Sequence, residues 1–109
     1  MSGAPRRARR TDGNHSEIAE AFEKAGCSVH RTNGDWDLTV GYGGLTLLIE
    51  VKDGKKPPSA RKLTPNEKKF HNTWTGGIYL ITCTADVLSA IKTMKADLAA
   101  INRARIARV

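Results

Sequence analysis

Three charged residues near the middle of the chain are spaced for chemistry. In LTLLIEVKD, residues 45–53, an apolar run of strand type carries Glu50 and Lys52 two positions apart. Residues i and i+2 of a strand share a face, so Glu50 and Lys52 point one way while Ile49 and Val51 point the other. Burying a charge costs several kcal/mol unless a partner, a metal or a substrate compensates it. Upstream, WDLTVGY at 36–42 reads as the partner strand, with Gly43 and Gly44 suited to the positive φ values of a two-residue turn. If Tyr42 faces Leu45, then Val40 faces Leu47, Leu38 faces Ile49 and Asp37 faces Glu50. Two carboxylates directly opposite each other repel unless a cation lies between them. Such a pair suits Mg²⁺, which takes one or two carboxylates and completes its octahedron with water and phosphate oxygens; Mn²⁺ is expected to substitute. The ion would polarise a scissile phosphate and acidify a bound water. Lys52 would stabilise transition-state charge or orient the water, and the backbone carbonyl of Val51 is a further candidate ligand.

The rest of the chain supplies elements to hold this hairpin. Residues 1–13 are basic and lack a hydrophobic period, and read as a mobile tail ahead of a single domain over 14–109. Ile18, Ala21, Phe22 and Ala25 recur at helical spacing, with Asn14 as N-cap and Gly26 as the C-terminal residue. CSVHRT at 27–32 reads as a short strand. Residues 53–63, DGKKPPSARKL, form a loop whose Pro-Pro pair cannot continue a sheet. Thr64, Pro65 and Glu67 spell a capping box for a second helix with Phe70 and Trp74 as its apolar stripe, read as core packing, with contact between Trp74 and a base as the alternative. GGIYLITC at 76–83 is a last strand. Thr84 then caps a long helix with Val87, Leu88, Ile91, Met94, Leu98 and Ile101 at helical spacing. The predicted order is αβββαβα, an α/β fold. Cys27 and Cys83 lack metal-type spacing and read as small buried residues kept reduced. His15 and His71 read as surface or hydrogen-bonded residues rather than ligands.

WDLTV followed by IEVK resembles the signature of the PD-(D/E)XK nucleases, in which an aspartate begins one strand and Glu-x-Lys lies on the next. More narrowly, EIAEAFEKAG, GDWDLTVG, LLIEVKDGKKPPSARKLTPNEKKFHNTW and GIYLIT resemble small phage-type nucleases of the VRR-NUC and Holliday-junction-resolvase-like group, over roughly residues 14 to 91. The resemblance implies a restriction-endonuclease-like αβββαβ core with a central mixed sheet flanked by helices, here followed by the long C-terminal helix. Carried onto this sequence, it places the first-motif aspartate at Asp37, the second acid at Glu50 and the lysine at Lys52. It adds an acid from the first helix, Glu17, with Glu20 one turn on as the alternative. The usual proline before the aspartate is Trp36 here, a position with no chemical requirement for proline. Asp35 reads as a supporting charge opposite Lys52.

A formal charge of +7 makes polyanions the first partners to consider. Lys55, Lys56, Arg61, Lys62 and Lys68 follow the proposed metal strand closely and are expected to contact nucleic-acid phosphates. No apolar run is long enough to span a bilayer and the start lacks a secretory signal, so a cytoplasmic protein is expected, in the host cell if phage-encoded, with no membrane partner and no small-molecule cofactor. The absence of a phosphate-binding glycine loop or a serine or cysteine triad removes those enzyme classes. The function expected is a Mg²⁺-dependent endonuclease acting on DNA, selective for branched or junction structures rather than sequence, and a homodimer because cutting both strands of a junction takes two sites. The alternative is a non-catalytic nucleic-acid-binding module that keeps the nuclease fold. A small protein-interaction or inhibitory protein using the basic tail leaves the two acids unexplained.

Overall fold

The structure, a computed structural model, describes residues 13–108, with side chains described through residue 102. Nearly all of the basic tail, and the side chains of Arg103, Arg105 and Arg108, lie outside the described residues. The elements follow the predicted order: α1 (His15–Lys24), β1 (Ser28–Arg31), β2 (Leu38–Tyr42), β3 (Leu45–Val51), a 3₁₀ turn (Pro58–Arg61), α2 (Pro65–Thr73), β4 (Ile78–Ile81) and α3 (Thr84–Arg108). The strands form one mixed sheet in the order β1-β2-β3-β4. The first three pair antiparallel as a meander, and β4 lies parallel to β3, which the α2 crossover makes possible. The molecule is therefore an α/β protein with helices flanking a four-stranded sheet.

The β2–β3 hairpin closes through Gly43 at φ 56° and Gly44 at φ 93°, backbone that side-chain-bearing residues rarely adopt. Tyr42 pairs with Leu45 and Leu38 with Ile49, the register read from the sequence. The ladder ends at Leu38. Asp37 donates its amide to the Ile49 carbonyl, 2.9 Å, one residue short of a regular pairing with Glu50. The expected face-to-face position for Asp37 is thus replaced by an irregular one, and its carboxylate turns elsewhere, as described below.

One face of the sheet carries the core. Leu38, Val40, Leu47, Ile49, Val51 and Ile81 meet Ile18, Ala19 and Phe22 of α1 and Val87, Ala90, Ile91 and Met94 of α3. The α3 residues fall at i, i+3, i+4 and i+7, a single helical stripe. Leu88, expected on that stripe, is 70% exposed, because it lies one residue, about 100°, round the helix from Val87. Ile101 is also exposed: 25 residues of helix run about 37 Å, well past the end of a four-residue strand. Cys27 is buried, and burial raises its thiol pKa; Cys83, against expectation, is exposed.

On the other face, α2 lies at the Glu50 end of the sheet, where Glu67 meets Lys52, and none of its residues is buried. Its capping box forms as predicted: the Thr64 hydroxyl accepts from the Glu67 amide, and Glu67 accepts from the Thr64 amide at 2.8 Å. Phe70 and Trp74 are not core residues. They form a separate stack with Trp36, outside the apolar cluster. Among the described residues no helix is long and apolar enough to cross a membrane.

Candidate active site

Glu50 is the most unusual residue of the structure. It lies on the α2 face of the central strand β3 and is 1% exposed, as deeply buried as the apolar Ile49 beside it. Its Oε1 is buried and makes no hydrogen bond, an arrangement that normally costs 1–3 kcal/mol, roughly, for a neutral group and more for a charge. Burial is the main force that pushes its pKa up to about 9; a hydrogen bond and repulsion from Asp37, then repulsion from Glu67, add to it. At neutral pH and without a cation, Glu50 therefore holds a proton.

Asp37 enters this cluster from the end of β2 and is itself buried. Its Oδ2 accepts the amide of Val51 at 2.8 Å, which locks the carboxylate against the β3 peptide that follows Glu50. The same bond holds the Glu50–Val51 peptide; the Val51 carbonyl, expected as a metal ligand, belongs to the peptide after it. The helix that approaches Asp37 is α1, through a residue not expected to take part: His15, buried, has Nε2 4.0 Å from Asp37 Oδ1. His15 opens the helix, so the first turn of α1 is carried over the end of β2.

Lys52 follows β3, and its amide donates to the Ile81 carbonyl at 3.0 Å, which continues the parallel pairing. Its ammonium donates to Glu67 Oε1 at 2.9 Å and lies 3.9 Å from Glu50 Oε2. Only the first is a hydrogen-bonded ion pair; the second is a near approach to a protonated carboxyl. Glu67 was read from sequence as a capping residue only. One of its oxygens serves both the cap and Lys52, so the α2 N-terminus and the catalytic-type lysine are tied to one atom. Burial acts to raise the Glu67 pKa and is outweighed by hydrogen bonds from Lys52, the Thr64 amide and Glu50, which hold it below its ordinary value. Asp35, expected opposite Lys52, is instead exposed in a hollow with Lys69 and Phe70.

Asn14 also departs from its expected role. It precedes α1 but makes no side-chain cap; its Nδ2 donates to the carbonyls of Lys52, 3.1 Å, and Thr82, 3.0 Å. It thereby clamps the C-terminal ends of β3 and β4, one residue before His15. Glu17 lies on the exposed side of α1, in a hollow shared with Asn14, Asp53 and Lys55, and Glu20 is exposed farther along. The structure brings together Asp37, Glu50 and Lys52, adds Glu67 and His15, and sets Glu17 at a neighbouring hollow. Lys55, Lys56, Lys62 and Lys68 are exposed on and just after the loop that joins Lys52 to Glu67. Arg61 on the same loop is half-buried, with a buried Nε that makes no hydrogen bond.

Among the described residues no three His, Cys, Asp or Glu side chains form a ready cage for a metal ion. That is the arrangement of a zinc site, whereas Mg²⁺ is commonly bound through one or two carboxylates with water making up the rest. The donor set here, Asp37 and Glu50 with one buried Glu50 oxygen that makes no hydrogen bond, fits the second case. Comparison of the chain with protein-family models, with curated proteins and with solved structures finds no match.

Proposed function

We propose that this chain is a metal-dependent endonuclease of the PD-(D/E)XK type that hydrolyses phosphodiester bonds in DNA, with a preference for branched substrates. The observation that carries the reading is the buried Glu50 carboxyl with an unsatisfied oxygen, set against Asp37 and beside Lys52. A protein gains nothing in stability from such a group, and perturbed, clustered acids of this kind belong to functional sites. The αβββαβ order and the mixed sheet support the same reading, since both are what the resemblance of WDLTV and IEVK implies. Asp37 and Glu50 would hold Mg²⁺ or Mn²⁺, which when bound polarises a phosphate and acidifies a water.

The chain's own groups then have defined tasks. Glu50 would hold a cation only as the carboxylate, so metal uptake would be coupled to release of its proton to solvent. The Val51 amide holds Asp37 in its orientation. Lys52, steered by Glu67, presents a positive charge beside Glu50, where it offsets charge building on a phosphate oxygen. The exposed lysines of the following loop bind the flanking backbone. A homodimer would supply the second site that cutting both strands of a junction requires.

The test is cleavage of labelled four-way junction, flap, single-stranded and duplex DNA in Mg²⁺, Mn²⁺ and EDTA, by the wild type and by Glu50→Ala. Metal-dependent cutting that disappears in the variant is the expected result, and the best substrate defines the subclass. Binding without cutting on every substrate would replace this reading with the non-catalytic module.

A further inference from the structure

Both tryptophans of the chain and one of its two phenylalanines lie outside the core in a three-ring stack. Trp36 and Phe70 have centroids 5.5 Å apart with planes at 18°, and Phe70 and Trp74 are 5.6 Å apart at 22°. Near-parallel rings in sequence leave the end of the stack able to accept another flat ring. Trp74 is 43% exposed, which for so large an apolar side chain forgoes burial worth having.

Its ring is nevertheless held in place. Nε1 donates to the Gly77 carbonyl at 3.3 Å, and a Cβ at Gly76 would come within 2.8 Å of that nitrogen, so the Gly76 backbone lies hard against the indole edge. At the other end, the Trp36 indole donates to the Thr39 hydroxyl at 2.8 Å. An exposed ring fixed by hydrogen bond, neighbour and close backbone has lost its rotamer freedom before any ligand arrives, which favours binding.

The stack is joined to the acidic cluster by the chain at its Trp36 end and through its central ring, Phe70. Trp36 immediately precedes Asp37, and Phe70 follows Glu67 by three residues of α2, so the two share a side of that helix. Exposed Lys68 and Lys69 flank it, and Asn66, Lys69 and Thr73 line the hollow next to Phe70 together with Asp35. A flat apolar platform with a cationic border suits a nucleobase whose strand continues along the lysines; a paired base in a duplex cannot offer its face.

We infer that the Trp36–Phe70–Trp74 stack is a docking platform for one unpaired nucleobase of the bound strand, stacked on Trp74 at the end of the stack away from Asp37. The inference rests on the nuclease reading and narrows it: the substrate has an unpaired base within a few nucleotides of the scissile phosphate, as flaps and junction centres do.

Because both tryptophans belong to the stack, intrinsic fluorescence reports on it directly. The probes are a short oligothymidylate and a fully paired duplex, titrated in EDTA so that nothing is cut. The oligothymidylate is expected to quench the emission, and Trp74→Ala should weaken its binding by about tenfold or more while the duplex loses far less. Trp74→Phe should restore part of the loss, and circular dichroism of each variant separates misfolding from lost stacking. Equal affinity of wild type and Trp74→Ala for the oligothymidylate overturns the platform. Metal-dependent cleavage by the wild type without quenching overturns the platform alone. Failure to bind either probe, with no cleavage, overturns the nuclease reading along with it.

Discussion

The two faces of one sheet are built from alternate residues of the same strands, and they serve opposite ends. On one face, Leu38, Val40, Ile49 and Val51 meet α1 and α3 in a continuous apolar cluster. On the other, Glu50 is buried as completely as Ile49, yet what covers it is Asp37, Lys52 and Glu67, from polar elements and a helix with no buried residue. Burial on the first face removes apolar area from water and stabilises the fold. Burial on the second withholds water from an acid that would rather have it. The helix α2 is accordingly held by particular contacts, the Lys52–Glu67 pair and the Trp36–Phe70 stack, instead of by a share of the core. Equal burial thus says nothing by itself about whether a residue supports the fold or the chemistry.

The contrast can be broken most forcefully from the apolar side. Phe22, fully buried against the sheet, is expected to cost about 3–5 kcal/mol on replacement by alanine, measured by urea denaturation, because the cavity left cannot be refilled. On the acidic side, Glu50→Ala should lower metal-dependent cleavage by about 10²-fold to 10³-fold or more in a single-turnover assay. Its melting temperature should hold or rise, since an uncompensated buried acid is removed. A Glu50→Ala protein as unstable as Phe22→Ala would erase the distinction between the faces.

The pH dependence sharpens the comparison further. The folded-state pKa of Glu50, about 9, lies above its ordinary value of 4.5. Between those values the folded chain keeps a proton that the unfolded chain has released, so this group's contribution to stability falls as pH rises through the interval. In EDTA, Glu50→Gln should match the wild type near about pH 4.5 and become the more stable of the two by about pH 8. A melting-temperature difference that stays constant across that range would contradict the burial assigned to Glu50. Glu67, held below its ordinary value, works with the opposite sign: its contribution is present above that value and lost as pH falls below it. The smallest expected effect is that of Thr64→Ala, which removes one half of the capping box and should cost about 1 kcal/mol in thermal or chemical unfolding.

Much of this could be read without coordinates, because it rests on local rules. Alternation along LTLLIEVK assigned the faces, the Gly43–Gly44 pair set the hairpin register, and the spacing of Thr64, Pro65 and Glu67 announced α2. Phe70 and Trp74 were misjudged because helical spacing shows that two rings share a side but not what that side meets. Glu67 was hidden behind its own cap: a capping box explains a glutamate at that position fully, so nothing in the sequence signals a second partner. His15 and Asn14 gave no signal either, since their contacts lie 22 and 38 or more residues away along the chain.

The sequence by itself determined the element order, the register of the central hairpin and the shared face of Glu50 and Lys52, because each follows from backbone geometry over a few neighbouring residues. Only the tertiary structure decided that Asp37 leaves the ladder to bind the Val51 amide and that Glu67 holds Lys52. It alone decided that Glu50 is sealed from water and that the distant Trp36 joins Phe70 and Trp74 in one stack. Those outcomes depend on where whole elements pack, and packing is a property of the assembled chain that no local spacing encodes.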